Sequence, residues 1–202
     1  LPQTQTYASG SFGQGANPQA GVYTNANVEM KNLCGAIRFS LTGNFRVGYI
    51  ELYSSSDLID GYYDMAKQSF MPKPVVYDEK FNSEFSGTRI ILDCSYDIER
   101  ENGLNEQMSV TLDEDVPVQF NIIVAPGALS HGFELSIYDA EGNWVNTLST
   151  DKDNTVERSL IVAMPTINVL TEKKEGDPTL LDGQKVNGIV TSMLSKMNLN
   201  TW

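Results

Sequence analysis

The chain has 202 residues, 41% of them hydrophobic, which is enough for one sizeable core with appendages. Its 14 Lys and Arg stand against 26 Asp and Glu, a net charge of −12. A field of that sign repels phosphate backbones and anionic lipid heads, which argues against nucleic-acid and membrane-surface partners, and no run approaches the roughly 18 apolar residues of a membrane span.

Residues 1–28 are of turn and polar types and read as an extended N-terminal arm. The spacing of Gly10, Gly13 and Gly15 only loosely echoes a phosphate-cradling loop. They lack the preceding apolar strand, the following helix and the Lys, so a plain loop is expected. The start, Leu1-Pro2-Gln3-Thr4, has neither an initiator Met nor a charged segment before an apolar one, so a trimmed chain is expected.

Residues 29–168 read as an antiparallel β-sandwich domain of about eight strands. Leu33 to Leu41 places Leu33, Ile37, Phe39 and Leu41 on one face, and Thr42-Gly43-Asn44 turns the chain into Phe45–Tyr53, which predicts a hairpin. Residues 54–87 are less regular and carry Tyr62, Tyr63, Phe70, Tyr77, Phe81 and Phe85. Clustered aromatics either pack as a satellite core over a sheet or offer flat faces to the apolar faces of sugar rings. Pro72 and Pro74 suit an edge strand.

Arg89 to Tyr96 and Gln107 to Leu112 continue the alternation. The densest pattern follows, from Val116 to Tyr138. Val116, Val118, Phe120, Ile122 and Val124 share one face, answered by Phe133, Leu135 and Ile137, at about 1.5–3 kcal/mol of burial each. This reads as a central hairpin, joined through Pro126–Ser130. Asp139-Ala140-Glu141-Gly142-Asn143 is a strong turn into Trp144–Leu148, and a last strand runs from Val156 to Met164.

Residues 169–202 read as a linker and a C-terminal amphipathic helix. Val186, Ile189, Val190, Met193, Leu194 and Met197 recur at helical spacing, with Asp182 as N-cap and Leu181 and Val186 as a hydrophobic staple. Such a stripe docks on its own domain or on a partner. The helix is expected to fold over an apolar groove floored by Val116–Val124 or Val156–Met164, guarding an edge open to strand addition.

Cys34 and Cys94 are the two cysteines, compatible with one disulfide or with two buried thiols. Closing a loop of about 60 residues would stabilise by ~4 kcal/mol. No catalytic residue, metal or cofactor is expected. There is no Gly-x-Ser-x-Gly elbow or His-Glu-x-x-His. His131, the single histidine, reads as a polar loop residue. Asp151, Asp153 and Glu157 echo a calcium loop without its glycine and closing Glu, and Asp113-Glu114-Asp115 reads as surface.

Several stretches, taken in order, resemble the fimbrillin-like surface proteins of Bacteroidetes-type bacteria, which include type V pilus subunits and adhesin lipoproteins. They are Leu1-Pro2-Gln3-Thr4-Gln5-Thr6-Tyr7, Ala16-Asn17-Pro18, Lys31-Asn32-Leu33-Cys34-Gly35, Gly48-Tyr49-Ile50-Glu51-Leu52, Ile91-Leu92-Asp93-Cys94, Val124-Ala125-Pro126 and Arg158-Ser159-Leu160-Ile161-Val162-Ala163-Met164. The resemblance implies a transthyretin-like, Greek-key sandwich exported to the outer-membrane surface or a fimbria. It implies a non-catalytic role in adhesion or pilus structure, with other subunits or host and bacterial surface ligands as partners. Such proteins carry a further N-terminal domain and a lipid-bearing cysteine before the Leu-Pro stretch, so this chain is expected to be the later part of a precursor. In an oxidising compartment a Cys34–Cys94 bond is expected. The alternative from another class is a glycan-binding module that uses the 54–87 aromatics.

Overall fold

The computed structural model describes residues 4–9, 18–24, 27–72, 74–81, 83–85, 87–99 and 105–169. Among them the chain is all-β, with no helix. The strands are β1 (Thr4–Thr6), β2 (Gln19–Thr24), β3 (Asn27–Asn32), β4 (Gly35–Gly43), β5 (Arg46–Tyr53), β6 (Tyr62–Asp64), β7 (Ser69–Met71) and β8 (Val76–Asp78). They continue with β9 (Ser83–Phe85), β10 (Arg89–Asp93), β11 (Ser95–Glu99), β12 (Asn105–Thr111), β13 (Val118–Val124), β14 (Phe133–Asp139), β15 (Trp144–Thr150) and β16 (Ile161–Val169). The expected helix from Asp182 to Met197 lies outside the described residues.

Two sheets build the core. A seven-stranded sheet runs β1-β10-β5-β12-β11, with β14 also on β5 and β15 on β14. Strand β5 is its spine, because β10 and then β12 share one of its edges while β14 takes the other. A three-stranded sheet has the order β13-β4-β16. Its inward residues, among them Ile37, Phe39, Leu41, Phe120, Ile122 and Ile167, join Ile50, Leu52, Ile90, Leu92, Leu135 and Ile137 of the larger sheet in one apolar cluster. Phe39 and Phe120 stack across β4 and β13 at 5.5 Å.

Two hairpins read from the sequence are corrected. Strands β4 and β5 do not pair with each other; they lie in different sheets. The chain crosses between layers at Gly43–Arg46, where Gly43 N–H donates to Asp113 and Leu112 N–H to Phe45. Likewise β13 pairs with β4, whereas β14 pairs with β5 and β15, so the stretch from Val116 to Tyr138 is a crossing rather than a hairpin. Its connection carries buried Ala128 and Leu129, whose backbones bond Val156 and Asn154. A connector anchored in that way spans the layers instead of reversing on itself. Period-two alternation states which face is buried, and either neighbour satisfies it.

Two pairings are also parallel, β1 on β10 and β16 on β4, so the sheets are mixed rather than purely antiparallel. The last strand starts at Ile161, later than the expected Val156, because Val156 is spent holding the crossing at Ala128 and Gly127. The faces of β13 and β16 expected to floor an open groove are covered by the larger sheet, and Val116 itself lies outside the strand at 62% exposure. The turn at Asp139–Asn143 does form, joining β14 to β15. The Asp139 carboxylate accepts from the N–H groups of Glu141 and Asn143, a local bond that Asp provides readily.

Candidate functional site

The described residues place the chemistry of interest at a sheet edge. Strand β1 runs parallel to β10 with Thr4, Gln5 and Thr6 opposite Ile91, Leu92 and Asp93. Gln5 points inward and is 3% exposed. Its Nε2 donates to the Ile123 carbonyl at 2.7 Å and its Oε1 accepts from the Ile123 N–H at 2.9 Å. Ile123 belongs to β13, in the other sheet, and these groups face away from β4. One side-chain amide thus does for the outer edge of β13 what the backbone of a further strand would do. Tyr7 continues the clamp, its N–H donating to Asp93 at 2.7 Å and its ring packing on Phe120 at 5.2 Å. β1 therefore bridges the open edges of both sheets. Sequence reading took these residues as part of an arm; the available signal was a Gln flanked by two β-branched residues, a strand-like triplet with one inward polar group.

The aromatics of residues 54–87 divide. Tyr63 and Phe70 pack edge-to-face at 5.3 Å and cover a cluster of Leu33, Cys34, Ala36 and Ile123 on the outer face of β4 and β13. Phe81 is buried on Ile91 and Tyr49. Tyr62 and Tyr77 are half exposed, and Phe85 sits opposite Val76 in the β8–β9 hairpin. Tyr63 and Phe70 on one side and Phe81 on the other thus pack on different clusters. On the outer face of the larger sheet Tyr49 and Tyr138 stack at 4.2 Å and 13°, so each ring hides a face of the other. Burial, and then the neighbouring Tyr138, push the Tyr49 phenol up to about 12. Burial also raises Glu51, against the pull of Arg89 at 3.5 Å.

The cysteines are free, and the expected bond between them is absent. They sit in separate clusters, Cys94 in the main core and Cys34 in the satellite beneath Tyr63. Burial pushes the Cys34 thiol up to about 11 and Cys94 well above its ordinary value.

His131 is tied to Asp57. Its Nδ1 lies 3.0 Å from Asp57 Oδ1, its N–H donates to Oδ2 at 3.0 Å, and Ser130 Oγ is 2.8 Å from both Nδ1 and Asp57 Oδ1. Hydroxyl and carboxylate meet the same ring nitrogen, so no relay across the two nitrogens is assembled. The cluster instead pins the Pro126–His131 connection to the loop after β5. Burial works against ionising Asp57, but the bonds from His131 and Ser130 outweigh it and hold the carboxyl below its usual range. Asp153 bonds Thr155 in a local turn, and among the described residues no group of three or more His, Cys, Asp or Glu converges on a metal position. No helix among them is long and apolar enough to cross a membrane.

No family model and no curated protein match the chain. Among solved structures it is similar to a proposed cell adhesion protein of Bacteroides fragilis, at 9% identity and a TM-score of 0.35, over 77% of this chain and 49% of that one. It is also similar to a proposed cell adhesion protein of Bacteroides ovatus, at 10% identity and a TM-score of 0.35, over 70% of this chain and 41% of the other. A fimbrial protein of Bacteroides ovatus is similar at 7% identity and a TM-score of 0.23, over 77% of this chain and 26% of its own. The chain thus spans less than half the length of each of these three structures.

Proposed function

We propose that the chain is a non-catalytic structural or adhesive protein of a bacterial surface, a fimbrial subunit or a fimbria-associated adhesin. The seven- and three-stranded sheets are read as the two leaves of a transthyretin-like, Greek-key sandwich, a domain of residues 29–168 to which the arm of residues 1–28 adds β1. Residues 169–202 are read as a linker and helix. The protein is exported, lipid-anchored or fimbrial, and faces the outside of the outer membrane, with other subunits as its partners. The observation that carries this reading is the seat of β1. A three-residue strand, in the first stretch of the fimbrillin-like resemblance, spans two sheet edges and holds one of them through a single side chain. Edges closed so lightly are natural sites for pairing with another chain, since main-chain hydrogen bonds supply the affinity. Immunogold electron microscopy of the native cells tests the reading: decorated filaments or surface label are expected, and label confined to the cell interior contradicts it.

A further inference from the structure

A cavity of about 440 Å³ lies between the β6–β7 hairpin and the turn at Ala125–Gly127, within the range of small-ligand sites. Tyr63, Phe70, Gln68, Ser69, Pro126 and Arg158 line it. The Arg158 guanidinium lies 5.6 Å from the centre of the Tyr63 ring and donates to the Tyr63 hydroxyl at 3.3 Å. Arg46, Lys67, Lys80 and Arg89 each hold a carboxylate. Among the described residues no carboxylate pairs with Arg158, although the chain carries 26 Asp and Glu against 14 Lys and Arg. A guanidinium held at the hydroxyl end of Tyr63 and left with further donors at a cavity wall can take a carboxylate in a two-point grip. Gln68 adds to the argument. It holds φ at +53°, a left-handed turn position that glycine would occupy without strain, and so sets an amide on the lining where the cheaper residue would set nothing.

We propose that this cavity binds a carboxylated pyranose, a uronic- or sialic-type sugar of a surface glycan. Arg158 grips the carboxylate, the rings of Tyr63 and Phe70 take the apolar face of the sugar, and Gln68 and Ser69 bond its hydroxyls. The site is separate from the β1 edge, and binding by the isolated chain succeeds or fails independently of any assembly. The test is an amide chemical-shift titration of the folded chain with methyl β-D-glucuronide and with N-acetylneuraminate, using methyl β-D-glucoside and acetate as controls. At least one acidic sugar should shift the amides of Phe70, Gly127 and Arg158 with a dissociation constant on the order of 1 mM. Arg158→Gln should weaken it at least about tenfold, while Tyr62→Ala, outside the cavity lining, leaves it unchanged. The uronate and sialate arms identify which sugar fits. The proposal is overturned if neither acid shifts these amides, if glucoside or acetate binds as well, or if Arg158→Gln binds like the wild type.

Discussion

Gln5→Ala isolates the edge clamp. The substitution removes both bonds to Ile123, whose backbone donor and acceptor are buried with their residue at 1% exposure. A buried polar group left without a partner costs about 1–3 kcal/mol, so two of them cost roughly 2–6 kcal/mol if β1 stays in place. That sum has a ceiling. β1 contributes three register pairs and the Tyr7 contact, and once the penalty exceeds what holds the strand, β1 detaches and water satisfies Ile123 instead. The expected loss is therefore about 2–4 kcal/mol by denaturant titration, with fast hydrogen exchange appearing at Ile123 and at Ile91–Asp93. Gln5→Glu serves as the control: at neutral pH it buries a carboxylate against the Ile123 carbonyl and should be less stable than wild type, and in acid, where the protonated carboxyl donates to that carbonyl and accepts from the N–H, the gap should narrow. A Gln5→Ala protein within about 0.5 kcal/mol of wild type, with Ile123 still protected, would refute the clamp.

Three further outcomes follow from the same geometry. Phe120→Ala, at the stacked centre of the core, should lose about 3–5 kcal/mol, whereas Val116→Ala, at an exposed side chain, should stay within about 0.5 kcal/mol; equal effects would contradict the layering. Because the Asp57 carboxyl is held below its unfolded value, its contribution is present above that value and lost as pH falls through the folded one. Asp57→Ala should accordingly be less stable than wild type at neutral pH, with the gap closing as pH falls through the folded value; a gap that is flat with pH would remove the His131–Asp57 bond from the account. Both cysteines should resist alkylation in the folded protein and react once unfolded, and an intact mass showing the bonded form would overturn the separate placement.

The faces of the strands were legible in the sequence, and their partners were not. Ile37, Phe39 and Leu41, or Leu135 and Ile137, alternate because a sheet buries one face, and that pattern survives in the structure. Which strand lies alongside was decided by connectors whose anchors are far away in sequence: Asp113 at Gly43, and Val156 and Asn154 at the Ala125–Gly132 crossing. The Asp139 turn was readable because its bonds are local. Gln5 was not, since its partner Ile123 is 118 residues away. The aromatic run predicted a cover or a platform. Distant Arg158 and the Ala125–Gly127 turn then select Tyr63 and Phe70 for the cavity, while Phe81 packs on Ile91.

The central claim is that sheet edges closed by β1 are where this protein joins others. The most direct measurement is light scattering, with negative-stain microscopy, on a chain lacking residues 1–7. Folded, concentration-dependent oligomers or filaments are expected, dispersed by adding a synthetic peptide of residues 1–7 that refills the seat beside β10 and Ile123. A truncated chain that keeps its near-UV spectrum and remains monomeric, with or without the peptide, contradicts the claim.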